Sequence, residues 1–183
     1  NQDEINRKDI RIGDTVLIHR AGDVIPEVVK VMHEKRPANT KPYNLPDKCP
    51  VCNHTVFTPE DEVVARCQNM ECPAQVKGRI EHFVSKYCID IDGFGIKLVD
   101  QLVDTGIIHN VADIFRLNLE QLSKLERLAE KSAHNIMTSI ETAKSTTMSR
   151  FVHGLGIRNV GEHASKILEK SFGGNLDILM QAK

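Results

Sequence analysis

The chain has no tryptophan, and aromatic residues make up 4% of its 183 positions. A core without large rings must rest on Ile, Leu and Val, so small units that need an external staple are expected, with the largest core in the C-terminal half. It also has no apolar run of the ~18 residues that a membrane helix requires. Its opening residues, 1–10, carry neither the apolar stretch of a signal peptide nor an amphipathic, Arg-rich transit pattern. A soluble, cytoplasmic protein with no membrane partner is the expectation. Excess charge is missing too: the formal net charge is −1, with 9 basic against 8 acidic residues over 1–48, 2 against 4 over 49–78, and 13 against 13 over 79–183. A protein that grips phosphates by bulk charge would carry a basic tail, so any nucleic-acid contact must come from local geometry such as helix N-termini. Catalytic signatures are equally scarce. No Walker, His-Glu-x-x-His or Gly-x-Ser-x-Gly motif occurs, and Gly93-Phe-Gly95 and Gly154-Leu-Gly156 lack the third glycine and the preceding strand of a dinucleotide fingerprint. No catalytic centre is expected in this chain.

What is present begins with cysteine. Five is an odd count, and four of the five form two close pairs, Cys49-Pro-Val-Cys52 and, fourteen residues on, Cys67-Gln-Asn-Met-Glu-Cys72. In a reducing compartment that spacing reads as metal ligation, not as a disulfide framework. Two thiolate pairs on facing turns can reach one tetrahedral Zn²⁺, and four protein ligands leave no position for water, so the site is structural. Four metal-free thiols are the bland alternative, and iron would need a redox role that the surrounding chain does not suggest. His54 reads as a surface-turn histidine and Cys88 as a small core residue, with extra ligation the less favoured reading of each.

Residues 10–33 consist of short β-branched runs broken at Gly13-Asp14 and Gly22-Asp23, which predicts about three strands and turns. Pro26 makes its strand an edge or marks a bulge. So few strands cannot close a barrel: they are the end of a larger one or they pair with another chain. Residues 37–48 hold three prolines and no hydrophobic periodicity and read as a linker. The cysteine unit spans 49–75, and the remainder, 76–183, is all-α in character, helical from Lys77 with helices near 79–88 and 95–104. The fold class is therefore multidomain α+β.

The helical part hides a repeat. Ile91-Asp-Gly-Phe-Gly-Ile-Lys97, Leu125-Glu-Arg-Leu-Ala-Glu-Lys131 and Ile157-Arg-Asn-Val-Gly-Glu-His163 stack at offsets of 34 and 32 residues. Each starts on an aliphatic residue, with an apolar residue three later, Gly or Ala four later, a basic-type residue six later and an aliphatic one eleven later (Leu102, Ile136, Leu168). A solenoid of helix pairs is the plain alternative for such a period, but a Gly-x-Gly turn between two closely spaced helices fits it poorly. The turn resembles the helix-hairpin-helix motif of non-sequence-specific DNA-binding proteins. Gly93 and Gly95 would let backbone approach a ligand, the amides opening the next helix would point outward, and Lys97 and Lys131 in the first helical turn make sense beside a phosphate. Arg127 and Ala129 replace glycines in the second copy and Asn159 one in the third, so the first and third copies are expected to bind phosphate better, through Gly93, Gly95, Lys97, Asn159 and Gly161.

The order of these units, with Lys8-Asp-Ile-Arg-Ile-Gly-Asp14, Arg20-Ala-Gly-Asp-Val-Ile-Pro26, Cys67 through Pro73, Ile91 to Gly95, Glu130-Lys-Ser-Ala133 and Leu155-Gly-Ile-Arg-Asn-Val-Gly161, resembles bacterial NAD-dependent DNA ligases over nearly the whole chain. The resemblance implies that residues 1–36 end an oligonucleotide-binding (OB) fold, that a small four-cysteine zinc finger follows, and that a helix-hairpin-helix domain sits on the minor groove of nicked double-stranded DNA. It implies DNA contacts at Arg20, Val24 and Ile25, and a bacterial, nucleoid-associated location in replication and repair. In that family a lysine of a Lys-x-Asp-Gly motif takes AMP from NAD⁺ and passes it to the 5′-phosphate of the nick. The motif is absent here, as are a fourth hairpin and a terminal BRCT-like domain. The chain is accordingly expected to be an internal fragment, monomeric, binding DNA and holding one structural Zn²⁺, with the NAD⁺ and Mg²⁺ sites elsewhere in the parent enzyme. The rival expectations are a stand-alone repair scaffold without catalysis and a zinc-stapled protein-interaction module.

Overall fold

A computed structural model describes residues 1–22, 25–60 and 62–182, without the side chain of Ala21. It divides into two compact units, Asn1–Asn69 and Met70–Lys183.

The first unit opens with helix α1 (Gln2–Arg7), which the periodicity of so short a segment could not announce; the Asn1 side chain caps it by accepting from the Asp3 amide. Two strands follow, β1 (Val16–Ala21) and β2 (Ile25–Val31), paired antiparallel with Arg20 opposite Pro26 and Ala21 opposite Ile25. That is one strand fewer than expected over 10–33, because residues 9–15 are spent on turns: Asp9 and Gly13 both adopt positive φ, at 46° and 93°. Pro26 lies where a two-stranded ladder tolerates it, and the register slips between Leu17 and Ile18, a bulge that leaves one β2 residue without an opposite. The hairpin buries little. Leu17, Ile18, Ile25 and Val29 are all exposed, so within residues 1–69 the apolar face has no cover.

Polar contacts hold this unit together instead. The Arg36 guanidinium reaches both Asp14 carboxylate oxygens, at 2.8 and 2.9 Å, and Asp9 Oδ2 at 2.6 Å. Those bonds pull the Asp9 and Asp14 carboxyls below their usual range. Lys8 donates to the Val28 carbonyl at 2.6 Å, and Gln2 ties down the linker by donating to Tyr43 O and accepting from Leu45 N. Residues 37–48 thus have no helix or strand yet are anchored along their length.

Two short strands, β3 (Val56–Phe57) and β4 (Arg66–Cys67), form the second antiparallel pair.

The helical unit holds α2 (Pro73–Val84), α3 (Ile96–Asp104), α4 (Leu119–Ser123), α5 (Glu130–Ala143), α6 (Met148–Gly154), α7 (Glu162–Ser171) and α8 (Leu176–Gln181), with a 3-10 turn at Val111–Arg116. Helix α2 starts four residues before the Lys77 expected from periodicity. Pro73 at its first position supplies a pre-set φ and has no N–H to lose, a start signal that hydrophobic spacing does not contain. Ile80, Phe83, Val99, Leu102, Ile108, Ile114, Leu122 and Ile140 are fully buried. With no tryptophan, the largest anchor is Phe83, edge-on to Phe115 and Phe151 at centroid distances of 6.1 and 6.4 Å. None of the described helices is long and apolar enough to cross a membrane.

Candidate functional site: a four-cysteine knuckle and three helix-entry turns

The sulfurs of Cys49, Cys52, Cys67 and Cys72 all lie within 4.8 Å of one another. Cys52 and Cys67 are 3.4 Å apart, close to the ~3.8 Å between thiolates in a tetrahedral Zn²⁺ site with Zn–S near 2.3 Å. Local backbone builds this cluster. Cys49 N donates to His54 O at 2.8 Å and Asn53 N to Cys49 O at 2.9 Å, closing a tight turn with Asn53 in the left-handed region at φ 58°. Asn is among the few side chains that tolerate that conformation. Cys67 comes from β4, and Cys72 is the residue that caps α2.

The crowding of the four sulfurs shows why a cation belongs there. Amides of Cys52 and Val51 lower the Cys49 thiol. The Asn69 amide favours the Cys67 thiolate, but burial and the sulfurs of Cys52 and Cys49 outweigh it and push that thiol up to about 12. Crowded sulfurs cannot all ionise without a countercharge, and a bound Zn²⁺ supplies it. His54 is exposed and stands outside the cluster, 3.4 Å from both Cys52 O and Asn69 Nδ2.

The three sequence repeats become three copies of one turn. Gly93, Arg127 and Asn159, the third residue of each, all take positive φ, at 78°, 60° and 64°. In the first and third copies the turn is closed by Phe94 N to Ile91 O and Val160 N to Ile157 O, the geometry of a type II turn. Each turn delivers the chain into a helix whose capping residue is Gly95, Ala129 or Gly161, and none of the three has a side-chain cap. Elsewhere Asn1, Asn110, Asn118, Thr147 and Asn175 cap their helices with side-chain oxygens. Among the described residues, no hydrogen bond within the protein engages the amides of 95–97, 129–131 or 161–163, and every one of those residues is exposed.

The copies differ in ways the spacing did not reveal. At Gly93 a Cβ would meet Ile136 Cγ1 at 3.0 Å, and the Asp92 and Gly93 amides are taken by Ser139 Oγ and Asp92 Oδ1. Gly95 and Gly161 do face open space, with nothing within 4 Å of an added Cβ. Helix α3 has no acidic residue in its first turn and carries Lys97 there, whereas α5 and α7 begin with Glu130 and Glu162. The Lys166 ammonium, 2.6 Å away, holds the Glu162 carboxyl below its ordinary value. An anion is therefore favoured most at α3.

Residues 1–40 match the description "NAD-dependent DNA ligase OB-fold domain" and residues 48–74 "NAD-dependent DNA ligase C4 zinc finger domain". Two segments of this chain are thus similar to domains of the NAD-dependent DNA ligases. It is 51% identical over 182 residues to the DNA ligase of Desulfosudis oleivorans and 50% identical over 183 residues to that of Methylococcus capsulatus. Each alignment covers 100% of the chain but 26% and 27% of the relative, so the chain spans about a quarter of the length of the curated relatives it matches.

In the segment that matches the OB domain, Arg20 and Ile25 are both exposed at the loop end of the hairpin, and Val24 lies outside the described residues. Lys97 and Lys131 are exposed one residue into their helices. Sequence reasoning missed one convergence. Cys88, read as a core residue, is indeed buried, yet it lies 3.7 Å from His82 Nε2 and 3.7 Å from His153 Nδ1. No spacing rule joins residues so far apart in the chain.

Proposed function

We propose that this chain is the DNA-holding portion of an NAD-dependent DNA ligase that seals nicks in duplex DNA during replication and repair, its units being an OB segment (1–36), a linker (37–48), a zinc finger (49–75) and a helix-hairpin-helix domain (76–183). The observation that carries the reading is the threefold recurrence of a left-handed turn followed by an exposed helix start without a side-chain cap, in a protein that caps α1, α4, α6 and α8 with Asn or Thr. Unpaired amides at a helix N-terminus are acceptor-seeking groups in a positive field, and a backbone phosphate satisfies both. Such contacts ignore base identity, as nick sealing requires. Arg20 and Ile25 present a second exposed surface, and Gly95, Lys97 and Gly161 the strongest part of the first; Lys131, Asn159 and Gly93 shape or support it. The zinc finger is the metal-clamped segment that joins the two in sequence. In the parent enzyme NAD⁺ supplies AMP and Mg²⁺ assists, on segments other than these residues, and a nucleoid-associated, monomeric protein fits that role.

The test is titration of this chain with nicked duplex at low salt, followed by Gly95→Val and Gly161→Val. Each valine should weaken binding by about tenfold, the order of one or two charge-assisted hydrogen bonds, while leaving the circular-dichroism melt nearly in place. Absence of binding at micromolar protein, or unaltered affinity in the folded double variant, would remove the proposal.

A further inference from the structure

Apart from the knuckle, a second set of soft donors converges inside the helical unit. His82 lies in the last turn of α2, Cys88 in the turn after it, and His153 in the last turn of α6. Their donor atoms all fall within 4.8 Å of one another, with the Cys88 sulfur 3.7 Å from each imidazole nitrogen. A tetrahedral zinc with Zn–S near 2.3 Å and Zn–N near 2.0–2.1 Å separates sulfur from nitrogen by ~3.6 Å. The two rings stand edge-on at 81° with centroids 5.1 Å apart, so they are not stacked on each other. Helix α6 comes close at this point: a Cβ on Gly154 would lie 3.2 Å from the Phe83 ring and 3.4 Å from Cys88 Cβ.

We propose that His82, Cys88 and His153 form a second metal site, a set of two imidazoles and one thiolate for a zinc-class divalent cation that leaves the fourth position to water or a small anion. Three observations support it. The donor set is the kind that borderline-soft metals select. The two sulfur–nitrogen separations already match tetrahedral spacing. There is also an entry path, because His82 lines a cleft of about 300 Å³ with Gly78, Arg79 and Gly156, and His153 lines another of about 390 Å³ with Tyr87 and Arg150.

In the metal-free protein His82 Nε2 lies 2.8 Å from the His153 carbonyl oxygen, so that nitrogen carries the ring proton and donates it. Ligation moves the ring proton to Nδ1 and frees Nε2. The Cys88 S–H bond breaks, a metal–sulfur bond forms, and one proton leaves to solvent. Such a site would clamp α6, the first helix of the third repeat, to α2, the first helix of the first. The inference is independent of DNA binding, since it rests on donor geometry alone.

The experiment uses the full chain, equilibrated with micromolar zinc and freed of excess, with metal counted by mass spectrometry. Wild type should retain two equivalents, and Cys88→Ala and His153→Gln one each, with the far-ultraviolet spectrum preserved. Cobalt titration provides the second readout. A second equivalent should add tetrahedral visible bands and a sulfur-to-cobalt charge-transfer band, both lost in Cys88→Ala. Should Cys88→Ala fail to fold, His153→Gln, altered at a half-buried ring, carries the test. One equivalent in wild type, or two persisting in both variants, would overturn the proposal. The four-cysteine knuckle accounts for the first equivalent in every case.

Discussion

Replacing Gly93 with alanine should unsettle the helical unit, whereas the same change two residues later should not. At Gly93 the backbone φ is 78°, a left-handed conformation in which a Cβ costs about 1–2 kcal/mol. The new methyl would also lie 3.0 Å from Ile136 Cγ1, a buried atom on α5, so α3's entry turn and α5 must separate by tenths of an ångström. Overpacking of that kind costs about 1–3 kcal/mol. Together they predict a loss of about 2–5 kcal/mol, or roughly 10–20 °C in the melting point of a unit this size. At Gly95 the φ is −81° and nothing lies within 4 Å of an added Cβ, so Gly95→Ala should be close to neutral, the less flexible unfolded chain offsetting the poorer capping by Ala. Urea unfolding monitored by circular dichroism separates the two. Combining Gly93→Ala with Ile136→Ala gives the coupling: the added methyl fills part of the space vacated, so the double variant should be more stable than the sum of the two losses. A Gly93→Ala protein with an unshifted midpoint, or additive losses in the double variant, would refute both the strain and the contact on which the reasoning stands.

Cys67→Ser should release the knuckle's metal and disorder residues 48–74, since a closed zinc site contributes its binding energy to folding; metal content and amide exchange would report it, and retained zinc with unchanged protection would contradict it. Arg36 holds the Asp14 and Asp9 carboxyls below their unfolded values, so this pairing stabilises the hairpin unit above about pH 3.9 and is lost as pH falls through the lower, folded values. Arg36→Gln should therefore weaken the unit at neutral pH and flatten its acid dependence, and an equally steep acid transition in the variant would count against it. Lys97→Ala should lower duplex affinity irrespective of sequence and reduce the slope of log affinity against log salt by ~0.9, whereas Lys124→Ala, at a lysine paired with Glu120, should leave the slope alone.

The cysteine spacing was legible because metal geometry constrains neighbours in sequence: each pair lies on one turn, and the turn residues do the positioning. The repeat was legible for a related reason, since a left-handed residue, a small residue at the helix start and an aliphatic anchor recur at fixed offsets. Gly93 and Gly95 look alike in a Gly-x-Gly string, but one is pressed against Ile136 and the other faces solvent. That distinction belongs to the packing of α5, 43 positions on from Gly93 at Ile136, and no local pattern contains it. The N-terminal helix and the early start of α2 escaped because caps and a first-turn proline, not periodicity, set those boundaries.

Sequence alone thus determined the gathering of four cysteines in the knuckle and the threefold turn, because each depends on residues within a turn or two of one another. Tertiary structure decided which amides are free, which glycine is a packing residue, and that His82 and His153 meet at Cys88. Those outcomes depend on how helices distant in sequence approach, and side-chain volume summed over the whole core sets that approach.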